Sequence, residues 1–143
     1  MYTDNQSKFI AVLNPKIETS KLMNGFGHIT AGIVAKCQQI DELQFLNYEF
    51  AGNWASPAAI GLYPFIILSA KNNNQLKTLH QAANEANILH NAFTDSMLGA
   101  SAAEQMQNTK NANPDDLTYF GIVLFGTADE LTPLTRKFSL FKG

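Results

Sequence analysis

The run from Leu117 to Phe125, carrying Tyr119, Phe120, Ile122, Val123 and Leu124 and closing at Gly126, is the most apolar stretch of the chain. It is far too short to span a membrane as a helix, and its continuous apolar character predicts a strand covered on both faces at the centre of a sheet. Two shorter runs read the same way. Phe9 to Leu13 is closed by Asn14-Pro15 and predicts a first strand, and Phe65 to Leu68, led in by Pro64, predicts a central strand.

The segments between these runs change period. From Ser20 to about Lys36, Leu22, Phe26, Ile29 and Ile33 recur at helical spacing, with Thr19 or Ser20 available as the N-cap. A second helix has Leu76, Leu79 and Ala83 on its inner face and Asn73 or Asn74 as its cap, and Leu89 to Thr94 follows as a short strand, which implies a crossover. Between Gln38 and Gly61 the periodicity weakens. There Leu46, Tyr48 and Phe50 alternate before Ala51-Gly52-Asn53, as in a peripheral strand or hairpin. Ser96 to Asn113 is polar and Ala-rich, which predicts a loosely packed helix or a mobile loop ending at Pro114-Asp115-Asp116. Thr127 and Glu130 have capping-box spacing; either the last helix contains Pro133, or it restarts from Thr132 with Pro133 at its first position. The expectation is a single α/β domain over residues 1–143, a three-layer sandwich with a small mixed sheet of about four strands near Phe9, Phe65, Leu89 and Leu117 and helices on both faces.

Composition narrows the function classes. A chain of 143 residues with 45% hydrophobic and 15% charged residues has enough apolar surface to fold without a partner. The net charge of -2 provides no global positive field for a nucleic acid, so tRNA binding would need a local cluster such as Lys8, Lys16, Lys21 and Lys36 on one face. Cys37 is the lone cysteine, which excludes an intramolecular disulfide and fits a reduced, cytoplasmic setting. Met1 to Ser7 lacks a signal pattern, and no apolar run reaches membrane length, so no membrane association is expected.

The first helix carries the candidate site. Lys21, Gly25, His28 and Gly32 fall on one row beside the apolar stripe, and each glycine costs about 1 kcal/mol relative to alanine inside a helix. Something therefore approaches the helix backbone closely, either a ligand or a neighbouring element. In the ligand reading Gly25 and Gly32 line a binding crevice, Lys21 offers a positive charge near the helix start, and His28 exchanges a proton near neutral pH. Asp95 follows a predicted strand, where residues often face the ligand crevice; it either pairs with Lys21 or caps the next segment. Ser96 adjoins it as a further ligand-binding candidate. His80 and His90 share no ligand spacing with Cys37, so no metal site is expected, and the absence of a nucleophile elbow, a Walker loop or a G-x-G-x-x-G turn implies no cofactor. Tyr48, Phe50 and Trp54 form either an exposed aromatic patch or one end of the core.

The stretch Lys21-Leu22-Met23-Asn24-Gly25-Phe26-Gly27-His28-Ile29 resembles the K-I-A-A-Q-x-x-H-A-like helix of type II peptidyl-tRNA hydrolases, keeping the lysine and histidine seven residues apart. The later order is also similar: a helix with Leu76, Leu79 and Ala83, a strand ending in Asp95, an apolar strand ending in Gly126 and a closing helix. In overall pattern the chain resembles more closely a bacterial family known as domain of unknown function number two thousand, which has this hydrolase-like fold. It shares with that family the lysine-bearing helix, an extra segment like Gln44 to Gly61, and Phe120-Gly121-Ile122-Val123-Leu124. Where the hydrolases continue after the aspartate with A-G-R-T, this chain has Ser96-Met97-Leu98-Gly99, lacking the threonine and the arginine. The resemblance thus implies a hydrolase-like fold but not its activity. The placement of residues on the first helix favours a binding protein or enzyme acting on a small ligand or peptide in a crevice beside it through Lys21, His28 and Asp95, and this is the leading reading. Its two alternatives are peptidyl-tRNA ester hydrolysis by the same residues and a homodimeric interaction module burying Tyr48, Phe50 and Trp54.

Overall fold

A computed structural model describes residues 7–37 and 43–143. The reading of the amino terminus before Ser7, and that of positions 38–42, fall outside the described residues. The remaining chain forms strands β1 (Ser7–Leu13), β2 (Phe45–Tyr48), β3 (Ala58–Gly61), β4 (Phe65–Ser69), β5 (Leu89–Thr94), β6 (Tyr119–Thr127) and β7 (Ser139–Leu140). The helices are α1 (Thr19–Lys36), α2 (Asn73–Glu85), α3 (Ala102–Asn111) and α4 (Ala128–Thr135).

Five strands make one mixed sheet in the order β5-β6-β1-β4-β7, while β2 and β3 pair separately as a hairpin. Only β1 and β4 run parallel; β6 is antiparallel to both of its neighbours, β1 and β5. The expected four strands therefore gain a fifth. β7 is two residues long and holds Leu68 and Ser69 in register with Leu140 and Ser139, too short a segment to show a period. The longest apolar run does not take the middle position either. β1 sits there, with β6 beside it, because β6 must also pair β5.

Alternation along β1 divides the core. Ile10 and Val12 point to one face, where they meet Leu76, Leu79 and Ala83 of α2 and Leu131 of α4. Phe9, Ala11 and Leu13 point to the other, against Leu22, Ile29 and Ile33 of α1. Helices thus cover both faces and the layering is α/β/α. β6 shifts register against β5, so that Thr94 pairs with Tyr119 and Phe93 with Gly121. The extra residue, Phe120, turns to the α1 face, while Tyr119 faces α2.

Several boundaries differ from expectation for local reasons. α1 begins at Thr19 with Glu18 at the cap position, and Ser20 Oγ donates to Glu18 Oε1 at 2.8 Å. The cap of α2 is Asn72, one position before the expected asparagines, and its side chain accepts from Gln75 N. Asn73 is used elsewhere. Its carboxamide accepts from Tyr119 N and donates to the Leu117 carbonyl, tying the start of α2 to the entrance of β6. The Thr127–Glu130 capping box is present, and α4 continues through Pro133 without a restart. β4 lies inside the sheet, yet Phe65 remains exposed, so only one face of this strand is closed by helices.

Gly121 shows how tightly β1 and β6 are joined. A Cβ there would lie 2.6 Å from Leu13 Cδ2 and 3.1 Å from the Val12 carbonyl oxygen, and the carbonyl cannot move without breaking the sheet. Gly121→Ala is expected to lower stability by about 1–3 kcal/mol, read as a reduced urea midpoint with an unchanged slope. An unchanged midpoint would mean that the two strands are not packed this closely.

Candidate functional site

The two glycines of α1 admit neighbouring strands. A Cβ on Gly25 would approach Phe93 Cδ1 to 3.1 Å and Phe120 to 3.4 Å, and one on Gly32 would meet Asn91 Nδ2 at 2.7 Å. Of the two explanations for helix-interior glycine, close approach by β5 and β6 accounts for both positions. The contact at Gly32 is polar: Asn91 Nδ2 donates to the Ile29 carbonyl of α1 at 3.1 Å.

Beside this junction a crevice of about 390 Å³ opens between α1, β5 and the segment that follows β5. Ile29, Ala92, Phe93, Met97 and Leu98 supply its apolar surface, while Asn24, His28, Asn91 and Gln105 bring polar groups from α1, β5 and α3. The His28 ring lies nearly parallel to Phe93, with centroids 6.4 Å apart and planes at 20°. Two of the carboxamides are already oriented. Asn91 spends its nitrogen on Ile29, and Gln105 Nε2 donates to the Gly99 carbonyl at 2.9 Å, so each leaves its carbonyl oxygen for a ligand. No lining group carries a fixed formal charge.

Ser96 positions the far wall. Thr94 Oγ1, Ser96 Oγ and Thr109 Oγ1 stand 2.7 and 3.0 Å apart in sequence, and Thr109 donates to the Gln105 carbonyl at 2.9 Å. Because Thr109 has committed its proton there, the chain can run in one direction only, from Thr94 through Ser96 to Thr109. These bonds hold α3, which has no buried residue of its own, against the turn at Asp95–Met97. The segment expected to be a loosely packed helix or a mobile loop is thus a surface helix fastened by hydroxyls.

The other predicted residues stand apart from one another. His28 lines the crevice. Lys21 is exposed, one turn before Asn24, on the helix row that leads into the crevice. Asp95 is exposed as well, and it extends the β5–β6 pairing: its N–H donates to the Thr118 carbonyl and its Oδ1 accepts from Thr118 N at 3.1 Å. Lys21 and Asp95 form no ion pair among the described residues; the salt bridge found there joins Lys77 to Asp115. Two of the four lysines are held far apart. Lys21 and Lys36 lie at opposite ends of α1, about 22 Å apart at 1.5 Å per residue, and Lys36 Nζ donates to the His90 carbonyl. Asn24, Asn91 and Gln105 escaped sequence reading because single amides carry no motif. Their one signal is that Asn91 places a polar side chain inside a strand.

His80 of α2 and His90 of β5 meet with ring centroids 5.3 Å apart, and His80 Nδ1 lies 2.7 Å from the Tyr119 hydroxyl. Burial, and then the nearby His90 and Lys36, lower the His80 pKa, while burial raises that of Tyr119. Among the described residues no group of three or more His, Cys, Asp or Glu side chains could hold a metal ion. No helix among them is long and apolar enough to cross a membrane.

Residues 7–142 match the model of a family described as "Protein of unknown function (DUF2000)". No curated protein matches the sequence. Among solved structures, a protein of unknown function from Agrobacterium tumefaciens strain C58 has a similar fold, with a TM-score of 0.79 at 19% identity over 96% of this chain and 98% of that one.

Two results follow from this geometry. The lowered His80 pKa favours folding above the unfolded value of about 6.5, and that contribution is lost as pH falls through the lower folded-state value. Stability measured between pH 7.5 and 5 should therefore decline, and the decline should shrink in His80→Gln; an identical slope in both proteins would contradict the burial of His80. Gly32→Ala should displace the Asn91 amide while leaving stability within about 1 kcal/mol, because improved helix propensity offsets one lost hydrogen bond. Loss of much more stability would show that the Asn91 side chain cannot rotate away.

Proposed function

We propose a function for this chain, which belongs to the DUF2000 family of proteins of unknown function: the crevice beside α1 binds a small, uncharged ligand or peptide group that presents hydrogen-bond donors next to an apolar portion. The observation that carries this reading is the pair of carbonyl oxygens on Asn91 and Gln105, each held in place because its own nitrogen is bonded to backbone. Oriented acceptors in a crevice also lined by Phe93 suit an amide, amino or hydroxyl group attached to an aromatic or aliphatic body. A ligand of fixed negative charge would face these oxygens without compensation.

In this reading His28 touches the ligand and offers it a ring nitrogen. Lys21, exposed one turn before Asn24, stays outside the lining of the crevice. Gly25, Gly32 and Ser96 shape the site by bringing β5 and α3 to α1, and Asp95 fixes the turn that carries Met97 and Leu98. Binding is favoured over ester hydrolysis of peptidyl-tRNA because Asp95 is committed to Thr118, and Lys21 and Lys36 lie at opposite ends of α1.

The test is a titration of the protein with N-acetyl-phenylalaninamide and with its ester counterpart, which lacks the terminal amide donors, followed through the side-chain resonances of His28, Asn24, Asn91 and Gln105. The amide should shift these signals and the ester should bind about threefold to tenfold more weakly, the worth of one hydrogen bond. Asn91→Leu should abolish the difference. No perturbation of these four residues by either compound would reject the reading, and release of a blocked amino acid from tRNA that depends on Lys21 and Asp95 would establish hydrolysis in its place.

A further inference from the structure

Among the described residues the α1 side of the sheet is only half covered. Five strands at about 4.8 Å spacing are roughly 20 Å across, whereas one helix is about 10 Å wide. α1 lies over β5 and β6, as the contacts of Gly25 and Gly32 require. Over β4 there is instead an open groove of about 670 Å³ between the outer flank of α1 and the strand, walled by Met23, Phe26, Ala31, Val34, Phe65 and Ile67. Met23 at its rim is 66% exposed. A sheet face bearing phenylalanine and isoleucine in water is a missing layer.

The same chain carries an element with the opposite defect. The β2–β3 hairpin is rooted in the core, since Leu43 is buried with the α1-side cluster and Tyr63 packs edge-on against Phe125 with centroids 5.0 Å apart. Beyond that root it pairs with no strand of the main sheet, and a lone two-stranded hairpin is marginal in water. It nonetheless exposes Phe45, Tyr48, Phe50 and Ile60, and Trp54 at its tip is 77% exposed while lying 5.5 Å from Phe50.

We infer that the occupant of the groove is the hairpin of a second copy of this chain, in a reciprocal two-fold dimer. The arm presents aromatic rings and the groove an apolar trough of the size of several rings with no charged residue in its lining; the arm's carboxylate, Glu49, is exposed. The areas agree with what a stable dimer needs. Tyr48 and Ile60 share one face of the ribbon, with Phe50 and Trp54 beyond it; four half-exposed side chains of roughly 200 Å² give about 400 Å² per arm, and each copy also contributes a groove, which together move toward the standard of about 800 Å² per partner. Two-fold symmetry lets both arms and both grooves be satisfied at once, without an open chain of subunits.

Trp54 is the sole tryptophan, so the arm reports its own environment. Light scattering on the full chain at micromolar concentration should give about twice 15.7 kDa, and dilution should move the Trp54 emission to longer wavelength as the mass falls to the monomer. Met23→Glu changes only an exposed helix residue, so it should remain folded; it should weaken association at least tenfold, as should Trp54→Ala on the arm. Mixing these two variants should partly restore the dimer, because one arm and one groove remain intact between them. A monomer at all concentrations with water-exposed Trp54 would overturn the inference, and so would a dimer that neither variant weakens.

Discussion

The hydrogen bond from the Asn91 carboxamide to the Ile29 carbonyl joins two features that are each unfavourable alone: a polar side chain within a strand, and a glycine within a helix. Gly32 leaves the space through which Asn91 reaches the α1 backbone, and Gly25 lets the rings of Phe93 and Phe120 approach closely two turns earlier. With α1 held at this distance, Asn24 and His28 overhang β5, and the crevice has its depth. Asn91 lines the crevice with its nitrogen bonded to Ile29. Removing either glycine would thus alter the site through packing, although neither has a side chain to offer a ligand.

The uneven covering of the sheet follows from the same placement. One helix drawn over β5 and β6 cannot also shield β4, so apolar surface remains on the opposite flank of α1. On the other face two helices, α2 and α4, close the layer around Leu76, Leu79 and Leu131, all fully buried. The fold is therefore three-layered, with one layer incomplete. The crevice and the groove lie on the two sides of the helix that leaves it so.

Much of this architecture was legible from residue order. The Phe9, Phe65, Leu89 and Leu117 runs all became sheet strands, and the alternation of Leu46 and Tyr48 marked the hairpin, because burial on both faces and period-two exposure leave direct traces in composition. β7 was not legible, since its two residues are held by the edge of β4 and show no period. The site was legible only in part. The Gly25–Gly32 spacing announced a close approach to α1, and His28 does line the crevice, but the partner of Gly32 is Asn91, 59 positions later, and no spacing within α1 can name it. Asp95 was placed correctly at the end of a strand, yet its carboxylate turned to Thr118, a choice made by the β6 register shift at Phe120. The fold of the Agrobacterium tumefaciens protein at 19% identity is consistent with layering that depends on patterns of burial, and it does not extend to these individual contacts.

The most direct measurement of the account is solvent exchange at the side-chain amides, resolved by nitrogen-15 NMR. The Asn91 amide should contain one slowly exchanging proton, held on the Ile29 carbonyl, while the Asn24 amide at the crevice mouth exchanges at the rate of a solvated carboxamide. Equal, fast exchange at both would mean that Asn91 does not hold α1 to β5, and the origin assigned to the crevice would be wrong.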